Sequence, residues 1–491
     1  MDKRKLKNEE LKLVYGDIEA NRDAHLRRVK EWIQQPSVSN TGEGIDECAE
    51  LTRRYFEKLG CERAEVVDVG ETKWGKGNPV VYGEYDAGQD KTLLLYFMYD
   101  VMPVQDEAQW VSPPWEGAVV KMAPYEKVLI GRGAVNSKGP GMAMLNALQS
   151  IKNTTGNLPV NLKLIAEGDE ERMSIGLHKF VNDRKAELRD ADAVSGFGWQ
   201  REDGTAWPLS GSEGCVYVEL ETSGESWGRG PQMNVHGLFK RVLDSPAWRH
   251  IKMLSTLVSE DGNDVLVKGW NDGIEGPEGE LEELKEVERY VDPGSIKSAL
   301  KAPKLMKGAA TKRDFLVKSL YSSTLNLDGI WGGLTEPGTA GAVLPSKVTS
   351  KHDIRYVPHQ DGEDLVNKLR RHLDSHGYRD VKIKVIGDVK WTRCRYDTPI
   401  AEALFKTYRE FGVKYVKLPT FGMVGLGPYW PAYLFARDPL KLDVCMGGIG
   451  HGGRFHAANE YLVVEPGSAP VKGFVDSEKA AASLVYNFAA G

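Results

Sequence analysis

The stretch LLLYFMYDVMPV, residues 93–104, decides how the rest of the chain is read. Its first half is continuously apolar, as expected of a strand buried on both faces of a parallel sheet. An acid, Asp100, closes the run, with Met98 two residues before it. In open α/β sheets, ligands bind beyond the carboxyl ends of the strands, which is where Asp100 falls. Taken alone, Asp100 is equally well a turn or helix cap.

Working outward, a second run, VNLKLIAEG (160–168), ends in the acids Asp169, Glu170 and Glu171. A helical stretch, GMAMLNALQSIKN (141–153), lies between the two runs, and DADAVSGFG (190–198) follows. This alternation predicts an α/β layer with a mixed, mostly parallel sheet. After CVYVELETSG (215–224) the texture changes to period-two strands and charged helices, as in GELEELKEVERYV (279–291) and SKHDIRYVP (350–358). No Pro/Gly/Ser linker separates the segments, so we expect a main domain in two parts, 1–214 and 393–491, with a smaller α+β domain, 215–392, inserted.

A chain of 491 residues is too long for one core and fits two domains. The net charge of −6 offers no basic footprint for nucleic acid and no polybasic membrane patch. The opening MDKRKLKNEELKL lacks an apolar core, which argues against a signal peptide or membrane anchor. Five cysteines, odd in number and without CxxC spacing, read as reduced thiols and a cytoplasmic location.

Three successive carboxylates repel one another, so the 169–171 cluster calls for a cation or a shared proton unless it is a solvated turn. The segment GRGAVNSKGPGMAM (131–144) holds glycines and Lys138 but lacks the GxxxxGK[ST] order of a phosphate loop. His456 lies in the glycine-rich GGRFHAANEYL (452–462), a weak signal by itself.

Together, YFMYDV, SPPWEG, LIGRGAVNSKGPGMA, LPVNLKLIAEGDEE, GIWGG, IRYVP and HAANEYL resemble, in order and spacing, the di-zinc peptidases. That group contains carnosine dipeptidase, glutamate carboxypeptidase, acetylornithine deacetylase and succinyl-diaminopimelate desuccinylase. The resemblance covers nearly the whole chain and is nearest the dipeptidase branch. It implies a catalytic α/β domain carrying a lid domain that forms a homodimer.

Carried over one residue at a time, the resemblance implies a degenerate metal site. The first metal-binding histidine falls on Met98, the bridging aspartate on Asn136, and a further metal-binding aspartate on Gly196. The catalytic base falls on Glu170, a ligand on Glu171, the last ligand on His456, and the acid that orients the lost histidine on Asp100. The family's ligands carry −3 against +4 from two zinc ions; the set here carries −1. A two-metal centre is therefore not expected. One divalent ion, zinc or manganese, on Glu171 and His456 with the Asn136 oxygen is one expectation; an empty site in which Glu171 pairs with His456 is the other. In the empty site, Asp169 and Glu171 should crowd Glu170 and raise its pKa. The lid contributes His236, in MNVHG, at the place of a histidine that reaches the partner subunit's site, and Arg355, at the place of an arginine that binds a substrate carboxylate. With Asp100, Met98 and Asn136, Arg355 is expected to line the substrate pocket. The usual glycine–serine loop is replaced by the aromatic GLGPYWPAYLF (425–435), which argues against an ordinary dipeptide. Two functions remain: a hydrolase of a small-molecule amide or other C–N bond with Glu170 as base, or a non-catalytic relative that binds a carboxylated ligand or serves as an assembly subunit.

Overall fold

The computed structural model describes residues 3–338, 340–417 and 430–491. Its described residues divide at Gly211/Ser212 and again at Thr392/Arg393 into two compact units.

The first unit is built on a six-stranded sheet in the order Arg63–Val67, Val80–Tyr85, Asn161–Glu167, Thr92–Met98, Ala193–Gly196, Asp443–Val444. The two pairings at the Arg63–Val67 side are antiparallel, and the other three are parallel. The α/β class and mixed, mostly parallel sheet are as the sequence predicts. Both apolar runs are strands with interiors fully buried, because the sheet is covered on both faces. One face carries the helices Lys3–Gln34, Ile45–Leu59, Lys138–Thr155, Pro399–Glu410 and Phe474–Ala490, whose apolar stripes share one core with Leu93, Leu95, Phe97, Leu162 and Leu164. On the other face, helix Ile175–Asp183 sets Phe180 against Tyr82, ring centroids 5.8 Å apart.

Lys138, the lysine of the rejected phosphate loop, is fully buried at the start of its helix. Its ammonium donates to the Trp32 and Gln35 carbonyl oxygens at 2.9 and 2.7 Å, closing the end of the first helix. Cations suit that end because the last carbonyls have no partner within the helix.

A small antiparallel sheet brings distant loops together: Gly452–Gly453, Tyr461–Glu465, Tyr125–Ile130, Ala118–Met122. Tyr461 pairs with Ile130, so the loop before Tyr461, with His456, lies beside the loop after Ile130, with Asn136.

The second unit contains a four-stranded antiparallel sheet, Gly329–Trp331, Lys347–Tyr356, Gly214–Ser223, Lys382–Val389. Alternate residues Val216, Val218, Leu220, Ile354 and Tyr356 pack against helices Pro246–Leu254 and Gly362–Ser375 through Met253, Leu365, Leu369 and Leu373.

Candidate active site

The parallel strands set the site. Met98 is in register with Glu167, and Tyr96 with Gly196, so three strands end along one edge of the sheet. Met98 is buried there, 3% exposed, with a thioether as its only polar-capable group. Asp100, fully buried, accepts the Glu171 backbone N–H at 3.0 Å. Burial, then the Glu171 charge, push its carboxyl up to about 8. The acid that would orient a histidine instead fixes the backbone of Glu171.

Beyond Glu167 the chain turns tightly. A Cβ on Gly168 would stand 2.3 Å from the Tyr99 hydroxyl, so only glycine fits. Asp169 turns away from the site: its Oδ2 accepts the Asn78 and Gly176 N–H groups at 2.7 and 3.1 Å, and Arg172 lies 3.4 Å from its Oδ1. This corrects the expectation that Asp169 crowds Glu170. The Glu170 carboxyl is raised well above the usual range by lost solvation first, then by Glu171, Asp100 and Glu167. Glu167 was not foreseen. It is fully buried, accepts from the Tyr96 and Ser174 hydroxyls at 2.6 and 3.0 Å, and burial raises its pKa strongly.

Asn136 and His456 form the facing wall. The Asn136 Nδ2 lies 2.8 Å from Glu171 Oε1 and 3.0 Å from His456 Nε2, and that nitrogen lies 3.0 Å from the same Glu171 oxygen. The three side chains thus close a triangle. Burial lowers the His456 pKa, but hydrogen bonding and charge from Glu171, with the charge of Glu460, more than offset this and leave it raised. The triangle is braced by another residue unforeseen from sequence. Glu460, 1% exposed, accepts from Arg132 Nη1 at 2.8 Å and from the N–H groups of Gly133, Val135 and Asn136 at 3.1, 3.1 and 2.9 Å. One carboxylate thereby fixes the Asn136 loop to the His456 loop. The sequence signal was an acid four residues after His456.

These residues do not fit a pair of metal ions. Met98 offers sulfur, a soft donor for a hard dication, and Gly196 offers none. The space beside Gly196 is also taken: a Cβ there would meet the Tyr96 carbonyl oxygen at 2.7 Å and Met446 Cε at 2.9 Å. Among the described residues, no three His, Cys, Asp or Glu side chains are grouped to hold a metal. Glu171 and His456, with the Asn136 amide turned to present its oxygen, are the donors available for one ion.

The lid residues lie in the second unit. His236, exposed, ends a short strand paired with Val343–Leu344 and accepts the Leu238 N–H at 3.1 Å through Nδ1. Asn234, in the place of the family's aspartate, accepts from the backbone N–H of Ser346 at 3.0 Å. Arg355 is engaged by Glu213 Oε1 at 2.9 Å and Asp353 Oδ2 at 3.1 Å. The aromatic stretch 425–435 is described only from Trp430 onward, and its first half lies outside the described residues.

Comparison with known proteins agrees with the dipeptidase-branch motifs. Beta-Ala-His dipeptidase of Homo sapiens is 26% identical over 382 residues, covering 74% of this chain and 71% of that protein. The Cys-Gly metallodipeptidase of Saccharomyces cerevisiae is 26% identical over 474 residues, covering 91% and 93%. Among solved structures, an M20 family metallo-carboxypeptidase from Sulfolobus solfataricus matches with a TM-score of 0.79 at 28% identity, covering 95% of this chain and 98% of that one. The yeast di-peptidase Dug1p shares the fold at a TM-score of 0.82 and 23% identity, covering 98% and 99%. The model of peptidase family M20/M25/M40 matches residues 94–471, and the chain belongs to that family.

Proposed function

We propose that this protein hydrolyses an amide or related C–N bond of a small, carboxylated molecule, with Glu170 as general base and at most one divalent ion. The observation that supports this reading is Glu170 itself. It follows the strand Asn161–Glu167, and its pKa is raised by lost solvation and by the charges of Glu171, Asp100 and Glu167. A carboxylate made more basic in this way is suited to take a proton from water near neutral pH. Water so activated attacks the carbonyl carbon, and Glu170 returns the proton to the departing nitrogen. The Asn136 amide and His456 supply N–H groups for the oxyanion, joined by His236 if the lid reaches a partner's site as the family resemblance implies. Zinc or manganese held by Glu171 and His456 would supply carbonyl polarisation.

Both named relatives are dipeptidases, which supports C–N hydrolysis as the reaction class. The altered donor set argues for a substrate more reactive than a plain dipeptide. We further propose a homodimer formed through the second unit, where Trp248, Ile251, Ile330 and Trp331 are 60%, 44%, 46% and 43% exposed. The five unpaired cysteines support a cytoplasmic protein.

The test is Glu170→Gln, assayed with the wild type on a panel of small amides and aromatic amines, with and without chelator. We expect turnover to fall by at least about 10²-fold in the variant, the scale of general-base catalysis. No turnover by the wild type on any substrate, with tight binding of a carboxylate, would favour the non-catalytic reading.

A further inference from the structure

Gly196 and His456 are each followed or preceded by an aromatic residue, and those residues belong to one row of rings. Tyr96 and Phe197 lie with centroids 6.1 Å apart and planes 27° from parallel. Phe197 and Trp199 are 6.4 Å apart at 14°. Trp199 meets Phe455, the neighbour of His456, at 5.0 Å and 44°. At its inner end the row is bonded to the acidic cluster, since the Tyr96 hydroxyl donates to Glu167 at 2.6 Å. Trp430 and Phe435 back the Tyr96 ring at 6.1 and 5.6 Å.

Packing accounts for Tyr96, whose ring is buried, but not for the whole row. Phe197, Trp199 and Phe455 are each only half-buried. Near-parallel rings in offset contact present a shared flat face, and a flat aromatic ligand extends such a row by the same offset stacking. Met446 packs beside Gly196, the residue before Phe197.

We infer that this row is the substrate-binding wall of the acidic pocket, and that it selects amides bearing a planar aromatic ring on the acyl or amine side. The inference rests on the hydrolase reading for its orientation toward Glu170, yet ring selection is measurable without turnover.

The probes are benzamide and cyclohexanecarboxamide, neutral amides of nearly equal size that differ in the ring's π-face and avoid repulsion from the carboxylates. Affinities are read by saturation-transfer NMR titration on the full chain. Benzamide should bind about two- to tenfold more tightly, the range of one stacking contact. Trp199→Leu and Phe197→Leu should each reduce that ratio toward one, while Trp199→Phe, which keeps a ring, should retain it. Thermal unfolding of each variant separates a lost fold from a lost wall, and the Trp199→Phe result stands even where a leucine variant fails to fold. Equal affinity for the two probes, no binding of either, or a ratio unchanged in folded leucine variants would overturn the inference. Glu170-dependent turnover of amides without ring preference would overturn it while leaving the hydrolase reading intact. Ring preference without any Glu170-dependent turnover would do the reverse.

Discussion

A side chain at position 196 would begin 2.7 Å from a backbone carbonyl oxygen and 2.9 Å from Met446 Cε. Met446 can rotate away, but the Tyr96 carbonyl belongs to a sheet strand and cannot. We therefore predict that Gly196→Asp destabilises the protein by about 1–3 kcal/mol, the cost of overpacking a filled site. Urea unfolding measures that cost, and metal analysis of the same variant should show no gain in ions per chain. Met98 and Gly196 stand at metal-donor places only by the family resemblance, through their spacing from Asp100 and within the DADAVSGFG segment. The direction of Asp169 was not legible. It depends on the N–H of Asn78, 91 residues away, and on that of Gly176, whose positions only the folded backbone sets.

At the scale of elements, two loops and one carboxylate decide whether the triangle forms. Glu460 and Arg132 are 328 positions apart in sequence, each 1% exposed, and their pairing joins the strand ending at Ile130 to the strand starting at Tyr461. Removing one partner of a buried ion pair leaves the other charge without compensation. Glu460→Ala should cost about 3–5 kcal/mol in urea unfolding, and Arg132→Met with Glu460→Leu should recover part of it. A single sequence could not pair these residues, since an acid after His456 and an arginine after a glycine carry no shared signal. The strands themselves were legible, because the apolar run 93–98 is unbroken and the run 162–166 is broken only by Lys163.

The second unit has its own polar core. Thr222, His250, Ser350 and His352 form a buried chain of hydrogen bonds at 2.9, 2.9 and 2.8 Å, ending on the Asn326 carbonyl at 3.0 Å. Burial, then the charge of His352, lower the His250 pKa to about 4. Its hydrogen-bond partners among the described residues are the hydroxyls of Thr222 and Ser350, and His352 is itself lowered, chiefly by burial. The folded state holds His250 neutral while the unfolded chain protonates it near pH 6.5. Stability from this residue is therefore present above about pH 6.5 and is lost as pH falls toward 4. The difference amounts to about 3 kcal/mol at full protonation. Urea unfolding between pH 4 and 7 should show this slope, and it should flatten in His250→Asn; an unchanged slope would place the acid sensitivity elsewhere.

For the whole molecule, the sequence resemblance carried the family and the alternation of runs carried the mixed α/β layer, both of which the comparisons bear out. The resemblance also led us to propose association through the second unit. There the edge strand Gly329–Trp331 exposes Ile330 and Trp331, and helix Pro246–Leu254 exposes Trp248 and Ile251. Large apolar residues on a sheet edge invite pairing with another chain. Sedimentation should find a dimer, and Trp331→Asp should shift it toward monomer.

We propose that the site retains Glu170 as its proton-handling acid and lacks the donors for a pair of cations. Zinc content after equilibration with excess zinc and dialysis decides between one ion and two. We predict no more than one ion per chain, removed along with that ion's signal by His456→Ala. Two ions per chain at full occupancy would contradict it.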